Sequence, residues 1–274
     1  MKSSRLETTA SYTVLVAMAV VTVIPFLAIV LAALQPSGSP VSGLAWPSQL
    51  SWSNFTTAWS AAGFSRLMIS SLLICLGVVP LALILATLAG YGLAVVKPPG
   101  GGIVFTLFLL GLTLPIELIV VPLYFDLRQA GLTNSYLGVI LAEVGVFLPF
   151  GVFWMRQHFL SMPRSLLEAA TIDGATEWRT LRSVLLPLAR PAMSTLAVLY
   201  FMWAWNQFLL VLVLIQNPQD RTAVAGLGYF VGERATNVPL LAAGTVLVIV
   251  PVGVVYLIFQ RQFIRGMLQG AVKA

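Results

Sequence analysis

Six long apolar segments restrict the folds open to this chain more than any other feature. Each is about 20 to 28 residues long, which fits a helix that crosses the hydrocarbon core of a bilayer. Only 9% of the 274 residues are charged, whereas a soluble domain carries about 25%. Because a spanning backbone must satisfy its own hydrogen bonds, and because the segments are too long for tilted barrel strands, helices are predicted. The predicted spans are residues 12–34, 69–96, 103–125, 136–155, 191–215 and 240–259.

The predicted fold class is therefore an all-α, polytopic membrane protein, with residues 1–274 forming a single transmembrane domain. The second span is predicted to end at the run from Lys97 to Gly102, where two prolines and three glycines interrupt the helix. Small residues near the end of that span predict close contact with another helix. They are Ala89, Gly90, Gly92 and Ala94.

Basic residues are distributed unevenly between the segments that connect the spans, and this asymmetry predicts the orientation. With the N-terminus inside, the cytoplasmic side carries Lys2, Arg5, Lys97, Arg156, Arg164, Arg179, Arg182, Arg190, Arg261, Arg265 and Lys273. The outer side then carries only Arg66, Arg128, Arg221 and Arg234. We therefore expect both termini to be cytoplasmic, and this topology explains the basic residues without a nucleic-acid partner.

A polar, helix-forming loop, residues 160–190, separates the fourth span from the fifth. Ser165 and Glu168 have the spacing of a capping box, so a helix is predicted to begin at Ser165. Asp173-Gly174 predicts a break, and a second helix is predicted after it with Glu177 in its first turn. The apolar side of the first helix is predicted to consist of Leu166, Leu167, Ala170 and Ile172. From the pattern alone, the two helices could simply lie on the membrane surface, with Glu168 only a cap.

The spacing within this loop resembles the EAA loop of ABC-importer permeases. Glu-Ala-Ala at residues 168–170 is followed after three residues by Gly174, and after nine more by Val-Leu-Leu-Pro, ending at Pro187. Val184 stands where the family usually has Ile. The resemblance implies a cytoplasmic coupling loop that docks on an ATPase, and both roles of Glu168 can hold at once. The predicted coupling residues are Glu168, Ala169, Ala170, Asp173, Gly174 and Pro187.

The resemblance extends to two other parts of the chain. Trp205-Asn206 in the fifth span matches a pair typical of carbohydrate-type permeases, although Gln207 replaces the acid that usually follows. The tail, residues 260–273, resembles that of the maltose-type second permease subunit. In that family the tail can approach the ATPases, but attraction of a basic tail to anionic lipid explains it equally well.

The resemblance implies the membrane subunit of a bacterial, ATP-driven sugar importer, in the plasma membrane and forming half of a translocation path. Its implied partners are a second homologous permease subunit, two ATPase subunits, an external solute-binding protein and membrane lipid. The chain has no G-x-x-x-x-G-K-[ST] phosphate loop, so no cofactor is expected in it, and it is not expected to be an enzyme. ATP and Mg²⁺ would be bound by the ATPase subunits.

Polar residues inside the apolar spans are candidates for the translocation path, because they are costly to expose to lipid. A sugar requires hydrogen-bonding groups and aromatic faces, and these are supplied by Glu117, Glu143, Trp203, Asn206 and Gln207. For the two carboxylates, an interhelical hydrogen bond or a protonated buried acid is the alternative. Trp203 lies roughly 18 Å into its span, too deep for an interfacial belt, but it could be a packing residue. Of the two amides, Asn206 is favoured because the family carries Asn there.

Three other functions remain open on the sequence alone. A permease of this class could import a phosphorylated polyol, an amino sugar or another small solute. A secondary transporter would show repeated halves and ion sites at broken helices, and no convincing repeat is visible. A membrane-embedded enzyme lacks support, because His158 is the only histidine and no catalytic or metal-binding constellation can be assembled.

Overall fold

The computed structural model describes residues 5–41, 43–232 and 236–271, and the helices account for most of them. In chain order they are α1 (Arg5–Ala33), α2 (Ser53–Ala61), α3 (Phe64–Tyr91), α4 (Gly101–Gly111), α5 (Ile116–Gln129), α6 (Tyr136–Leu160), α7 (Arg164–Ile172), α8 (Glu177–Thr180), α9 (Leu186–Asn206), α10 (Leu209–Leu214), α11 (Ala223–Gly226) and α12 (Val238–Ala271). Two π-helical turns follow α3 and α8, at Gly92–Val96 and Leu181–Leu185. The described ranges contain one isolated β-bridge, Val231 with Thr236, and no strand. The predicted all-α fold is confirmed.

The predicted spans correspond to long apolar helical segments in the structure. Five are long and apolar enough to cross a membrane, and α4 with α5 adds a sixth if the bent pair is one span. The five are Ser11–Ala33, Phe64–Val96, Tyr136–Leu160, Glu177–Asn206 and Val238–Gln260. Of the basic residues in the charge count, Lys2, Arg234 and Lys273 lie outside the described residues, as do the side chains of Arg5, Arg261 and Arg265. The backbone of the tail continues α12 to Ala271.

The third span, predicted as one helix over residues 103–125, is broken. The axes of α4 and α5 differ by 105° across the short link between them. Pro115 occupies the N-cap of α5 with an extended backbone, φ −68° and ψ 139°. Proline has no N–H to continue a helix, and it forces the preceding residue away from the helical region, so the prediction of a continuous span was wrong.

The fifth span, predicted over residues 191–215, begins earlier and ends earlier. Helix α9 starts at Leu186 and contains Pro191, and it stops at Asn206 because Gln207 is extended, with φ −66° and ψ 118°. The Asn206 side chain donates to the carbonyl of Met202 at 2.7 Å, and the Gln207 side chain accepts from the N–H of Leu210 at 3.4 Å. Both amides thus bond to the backbone at the break, which is how such side chains compete with a continuous helix.

The described residues pack as two compact units, one from residues 1–65 and 226–251 and the other from 66–225 and 252–274. In the first unit, the Asn54 side chain donates to the carbonyls of Ala33 and Gln35 at 2.8 and 2.7 Å. The first bond satisfies a carbonyl that the end of α1 leaves free, and the second holds the loop two residues beyond it. That all 274 residues form a single domain stays a prediction.

In the second unit, α3 and α6 pack closely because glycines remove side chains from their contact. A Cβ added at Gly90 would lie 2.7 Å from Cβ of Met155, and one added at Gly151 would lie 2.7 Å from Cβ of Ala86. The predicted close contact is thus confirmed for Gly90. It was wrong for Gly92, where an added Cβ would meet nothing within 4 Å.

Candidate functional site

The first helix of the loop over residues 160–190, called the coupling loop from here on, is α7. It begins at Arg164 rather than Ser165, and the N-cap residue is Pro163, with φ −58° and ψ 130°. The carbonyl of Pro163 accepts from the N–H of Leu166 at 3.2 Å, and no side chain caps the helix. The predicted capping box between Ser165 and Glu168 was therefore wrong, because Pro163 sets the start one residue earlier and Ser165 is inside the helix.

The break after α7 is a Schellman motif centred on Gly174. The N–H of Ala175 donates to the carbonyl of Ala170 at 2.9 Å, and the N–H of Gly174 donates to that of Thr171 at 3.0 Å. Gly174 has φ +67°, in the left-handed region that favours glycine. The predicted break at Asp173-Gly174 is confirmed, and its hydrogen bonds make the turn a defined structure.

The second helix of the coupling loop, α8, begins at Glu177, so Glu177 lies in the first turn as predicted. The Thr176 hydroxyl caps the helix by accepting from the N–H of Arg179 at 3.3 Å. Leu181 and Leu185 in the following π-helical turn are buried, and Pro187 lies in the first turn of α9. The end of the coupling loop is thus anchored in the buried core of the second unit.

The exposed surface of the coupling loop combines charged, small and large apolar residues. Leu166 and Leu167 are half-buried and Ala170 is buried, as predicted for the apolar side of α7. Ile172 was wrongly placed on that side, because its position on the helix points away from the other three and it is 86% exposed. Sequence reasoning missed Trp178, which is 61% exposed, although an aromatic residue within a polar segment was an available signal. The predicted coupling residues that are exposed are Glu168, Ala169, Asp173, Gly174 and Pro187.

The five predicted path residues lie on three different helical regions. Glu117 is exposed in the first turn of α5, immediately after the bend. Glu143 is fully buried in α6, and among the described residues neither of its carboxyl oxygens has a hydrogen-bond partner. Trp203 and Asn206 lie at the C-terminal end of α9, and Gln207 is its C-cap residue. The structure therefore groups three of the five and places the two carboxylates on neighbouring elements.

Trp203 belongs to an aromatic cluster between α6 and α9. Its ring centroid lies 5.0 Å from that of Phe150, 5.5 Å from that of Phe147 and 6.0 Å from that of Tyr200. Trp203 is half-buried. These contacts favour the packing alternative, and a role of Trp203 in the translocation path stays a prediction.

A polar network that sequence reasoning missed holds the segment between α10 and α11. The Asn134 side-chain oxygen accepts from the N–H groups of Gln216 and Asn217 at 3.2 and 3.3 Å. The Asp220 carboxylate pairs with the Arg66 guanidinium and accepts from the Asn217 amide at 2.6 Å. Arg66 therefore lies near Arg221, the residue after Asp220, which agrees with their prediction on the same side of the membrane. Nothing in the sequence indicated that Arg66 pairs with Asp220, because the two residues are 154 positions apart.

Within the described ranges, no group of three or more His, Cys, Asp or Glu residues is arranged to hold a metal ion. The described helices include several that are long and apolar enough to cross a membrane, and the exposed α7–turn–α8 unit lies between two of them.

Comparison with known proteins identifies the family. Residues 79–269 match the family described as the binding-protein-dependent transport system inner membrane component. The chain is 32% identical over 263 residues to the diacetylchitobiose uptake system permease protein NgcG of Streptomyces coelicolor, which covers 95% of this chain and 87% of NgcG. It is 34% identical to the arabinooligosaccharides transport system permease protein AraQ of Halalkalibacterium halodurans, over 93% of this chain and 92% of AraQ. A bacterial ABC transporter involved in the import of the acidic polysaccharide alginate has a chain with a TM-score of 0.79 and 21% identity, over 96% of this chain and 98% of that one.

The family match includes α6, the coupling loop and α9, and it covers well over half of the sequence. The chain therefore belongs to the family of inner membrane components of binding-protein-dependent transport systems. It is a multi-pass membrane permease subunit of an ABC importer, and the solved transporter has the same fold.

Proposed function

We propose that this chain forms half of the translocation path of an ATP-driven importer for a sugar or a sugar derivative. The observation that carries the proposal is the geometry of the coupling loop, an exposed α7–turn–α8 unit whose turn is fixed by two backbone hydrogen bonds at Gly174. A turn of defined shape that exposes two large apolar side chains, Ile172 and Trp178, is suited to docking on another protein.

The proposed docking partner is an ATPase subunit on the cytoplasmic side, as the resemblance in the loop predicts. Ile172 and Trp178 supply apolar anchors, exposed Ala169 permits close approach, and Glu168 and Asp173 supply charge at the rim. The complete importer would contain a second homologous permease subunit, two ATPase subunits and an external solute-binding protein. ATP and Mg²⁺ would be bound by the ATPase subunits, and both termini of this chain would be cytoplasmic.

The proposed mechanism is a switch of the spans between outward and inward openings. When the ATPases close on ATP, the segment Glu168–Thr180 moves with them and biases the spans toward one of the two states. Solute released by the external binding protein would then pass between the two permease subunits.

A saccharide is the proposed solute class because three relatives carry saccharide names. They are the diacetylchitobiose and arabinooligosaccharide permeases and the trehalose transport system permease protein SugB of Mycobacterium tuberculosis, 32% identical over 91% of this chain. The five candidate path residues carry hydrogen-bonding groups and one indole but no positive charge. The exposed carboxylate of Glu117 would repel a phosphate in the path, so a neutral saccharide is favoured over a phosphorylated polyol.

The test is uptake by the complete importer in proteoliposomes that contain ATP. A panel of one neutral disaccharide, one amino-sugar disaccharide, one phosphorylated polyol and one amino acid is offered with the binding protein. ATP-dependent uptake of a saccharide, and not of the other two classes, is expected. Uptake of the phosphorylated polyol alone would contradict the solute class, and uptake driven by an ion gradient without ATP would contradict the mechanism.

A further inference from the structure

Tyr91, the last residue of α3, joins the coupling loop to a helix that is distant from it in sequence. Its hydroxyl donates to the backbone carbonyl of Glu177, the first residue of α8, at 3.1 Å. The side chain is only 7% exposed, and its ring lies edge-on against that of Phe159 in α6, with the centroids 6.0 Å apart. One buried side chain therefore contacts the second helix of the coupling loop and one of the spans that flank the loop.

The other connections of the coupling loop to the spans differ from this one. The chain itself links α7 to α6 and α8 to α9, so these two spans must follow any displacement of the loop. Helix α3 has no such covalent link. Among the described residues, the bond from Tyr91 to Glu177 is the one side-chain hydrogen bond that joins α3 to the coupling loop. Motion of the loop can reach α3 directly through this contact.

Directly beside Tyr91, α3 packs closely against α6. A Cβ added at Gly90 would lie 2.7 Å from Cβ of Met155 and 2.9 Å from the backbone nitrogen of Arg156. Displacement of the Tyr91 hydroxyl therefore acts on the part of α3 that packs closely against α6. The α6 helix of this pair carries the buried Glu143 and also contributes to the aromatic cluster around Trp203.

The backbone on both sides of the contact is unusual. A π-helical turn, Gly92–Val96, begins immediately after Tyr91, and a second, Leu181–Leu185, begins immediately after α8. Such turns are uncommon and are often found at functional sites, because their wider geometry lets a helix adjust locally. Each partner of the hydrogen bond thus lies within four residues of such a turn.

We infer that Tyr91 is a positioning residue that transmits displacement of the coupling loop to α3. The inference rests on the proposed docking of the loop on an ATPase. Loss of the hydroxyl would leave the docking surface intact but would let α8 move without moving α3, so that ATP is hydrolysed without a matching switch of the spans.

The test is the number of ATP molecules hydrolysed per solute imported, measured in proteoliposomes with the complete importer. Tyr91→Phe is expected to raise this ratio about two- to tenfold, the effect of one lost hydrogen bond, while complex yield and basal ATP hydrolysis stay as in the wild type. Tyr136→Phe is the matched control. It removes the hydroxyl that bonds to Ser70 at 2.6 Å, a contact between α6 and α3 near the start of both helices, and should leave the ratio unchanged.

A ratio unchanged in Tyr91→Phe would overturn the inference, and so would an equal rise in Tyr136→Phe. If Tyr91→Phe fails to assemble, Phe159→Leu replaces it, because this change keeps the hydroxyl but removes the ring that orients Tyr91, and a raised ratio is again expected. Measurements on the wild type distinguish failure of the proposed function from failure of the role of Tyr91. Failure of the wild-type chain to bind ATPase subunits would refute the proposed function, whereas a functional wild type with a fully efficient Tyr91→Phe would refute only the role of Tyr91.

Discussion

At the scale of single residues, backbone conformation and free space decide what each position in the coupling loop tolerates. Gly174 requires φ +67°, yet a Cβ there would meet nothing within 4 Å. Any penalty for a side chain in the isolated chain is therefore conformational, and any further penalty in the importer comes from the docked partner. Glu168 makes no capping bond, so replacing it with Ala should not unfold α7, and a transport defect in that variant would report on docking.

Three substitutions at Gly174 separate these effects. Gly174→Asn should transport almost normally, because Asn tolerates the left-handed conformation and is neutral. Gly174→Asp has nearly the same shape and should impair transport by placing a charge on the docking surface. Gly174→Val should destabilise the turn by about 1–2 kcal/mol, with or without partners. Uptake in proteoliposomes and yield of the complex are the measurements, and equal transport by the Asn and Asp variants would show that the loop surface is not docked.

The two amides at the end of α9 allow a second test. Asn206 is exposed and bonded only within its own helix in the described structure, whereas the Gln207 side chain bonds to the N–H of Leu210 at the start of α10. Asn206→Ala should weaken solute uptake and leave complex yield and basal ATP hydrolysis nearly unchanged. Gln207→Ala should instead lower the thermal stability slightly. Loss of assembly in Asn206→Ala without a selective transport defect would make Asn206 an interhelical contact and remove it from the path.

At the scale of helices, glycines at the helix contacts allow the helices of the second unit to pack closely. Along α6, Gly151 faces Ala86 and the Tyr200 hydroxyl, and that hydroxyl donates to the carbonyl of Phe147 at 3.3 Å. The same helix has Gly145, where an added Cβ would meet nothing within 4 Å. One helix therefore offers a critical glycine and a dispensable one, less than two turns apart.

Gly151→Ala should destabilise the protein by about 1–3 kcal/mol, because its methyl group overlaps Tyr200 and crowds Ala86 in a packed interior. Gly145→Ala should leave stability unchanged or raise it by up to about 1 kcal/mol, since Ala is the better helix former. The thermal unfolding midpoint of each purified variant in detergent is the measurement. Similar midpoints for the two variants would mean that α6 shifts freely against its neighbours.

At the scale of the whole molecule, the uneven distribution of basic residues predicts the orientation in the membrane. The proposed docking on an ATPase requires that the coupling loop faces the cytoplasm. Tyr91 and Glu177 are in contact, so the end of α3 lies at the same side as the loop. Lys97, six residues after Tyr91, was predicted on that side independently from the charge count.

Single cysteines test the orientation in a chain whose native cysteine, the buried Cys75, has been replaced by Ala. Cysteines at Ser39 and Gln219 should react with an impermeant thiol reagent in intact cells. A cysteine at Thr176, which is exposed in the coupling loop, should react only in inverted vesicles. Labelling of Thr176 in intact cells would reverse the orientation and contradict docking on a cytoplasmic ATPase.

The sequence by itself determined the features that depend on composition and on neighbouring residues. The apolar segments predict helical spans because lipid offers no hydrogen bonds to the backbone, and Asp173-Gly174 predicts a turn because glycine adopts a positive φ without strain. Within the candidate site, the same local reasoning predicted the turn and the second helix that begins near it, whereas the coupling role of its residues stays a prediction. The predicted start of α7, Ser165, is one residue too late, because the helix begins at Arg164 with Pro163 as its N-cap.

Only the tertiary structure decided the features that depend on distant residues. The amides at 206 and 207 end α9 within an apolar stretch, and hydropathy does not register such a break. Tyr91 and Glu177 are separated by 86 positions, and Arg66 and Asp220 by 154, so no local pattern predicts either pair. The burial of Glu143 and the different surroundings of Gly145 and Gly151 likewise depend on which helices pack against α6. Such contacts depend on which helices pack together. That packing depends on the shape of whole helix surfaces rather than on the order of residues along one helix.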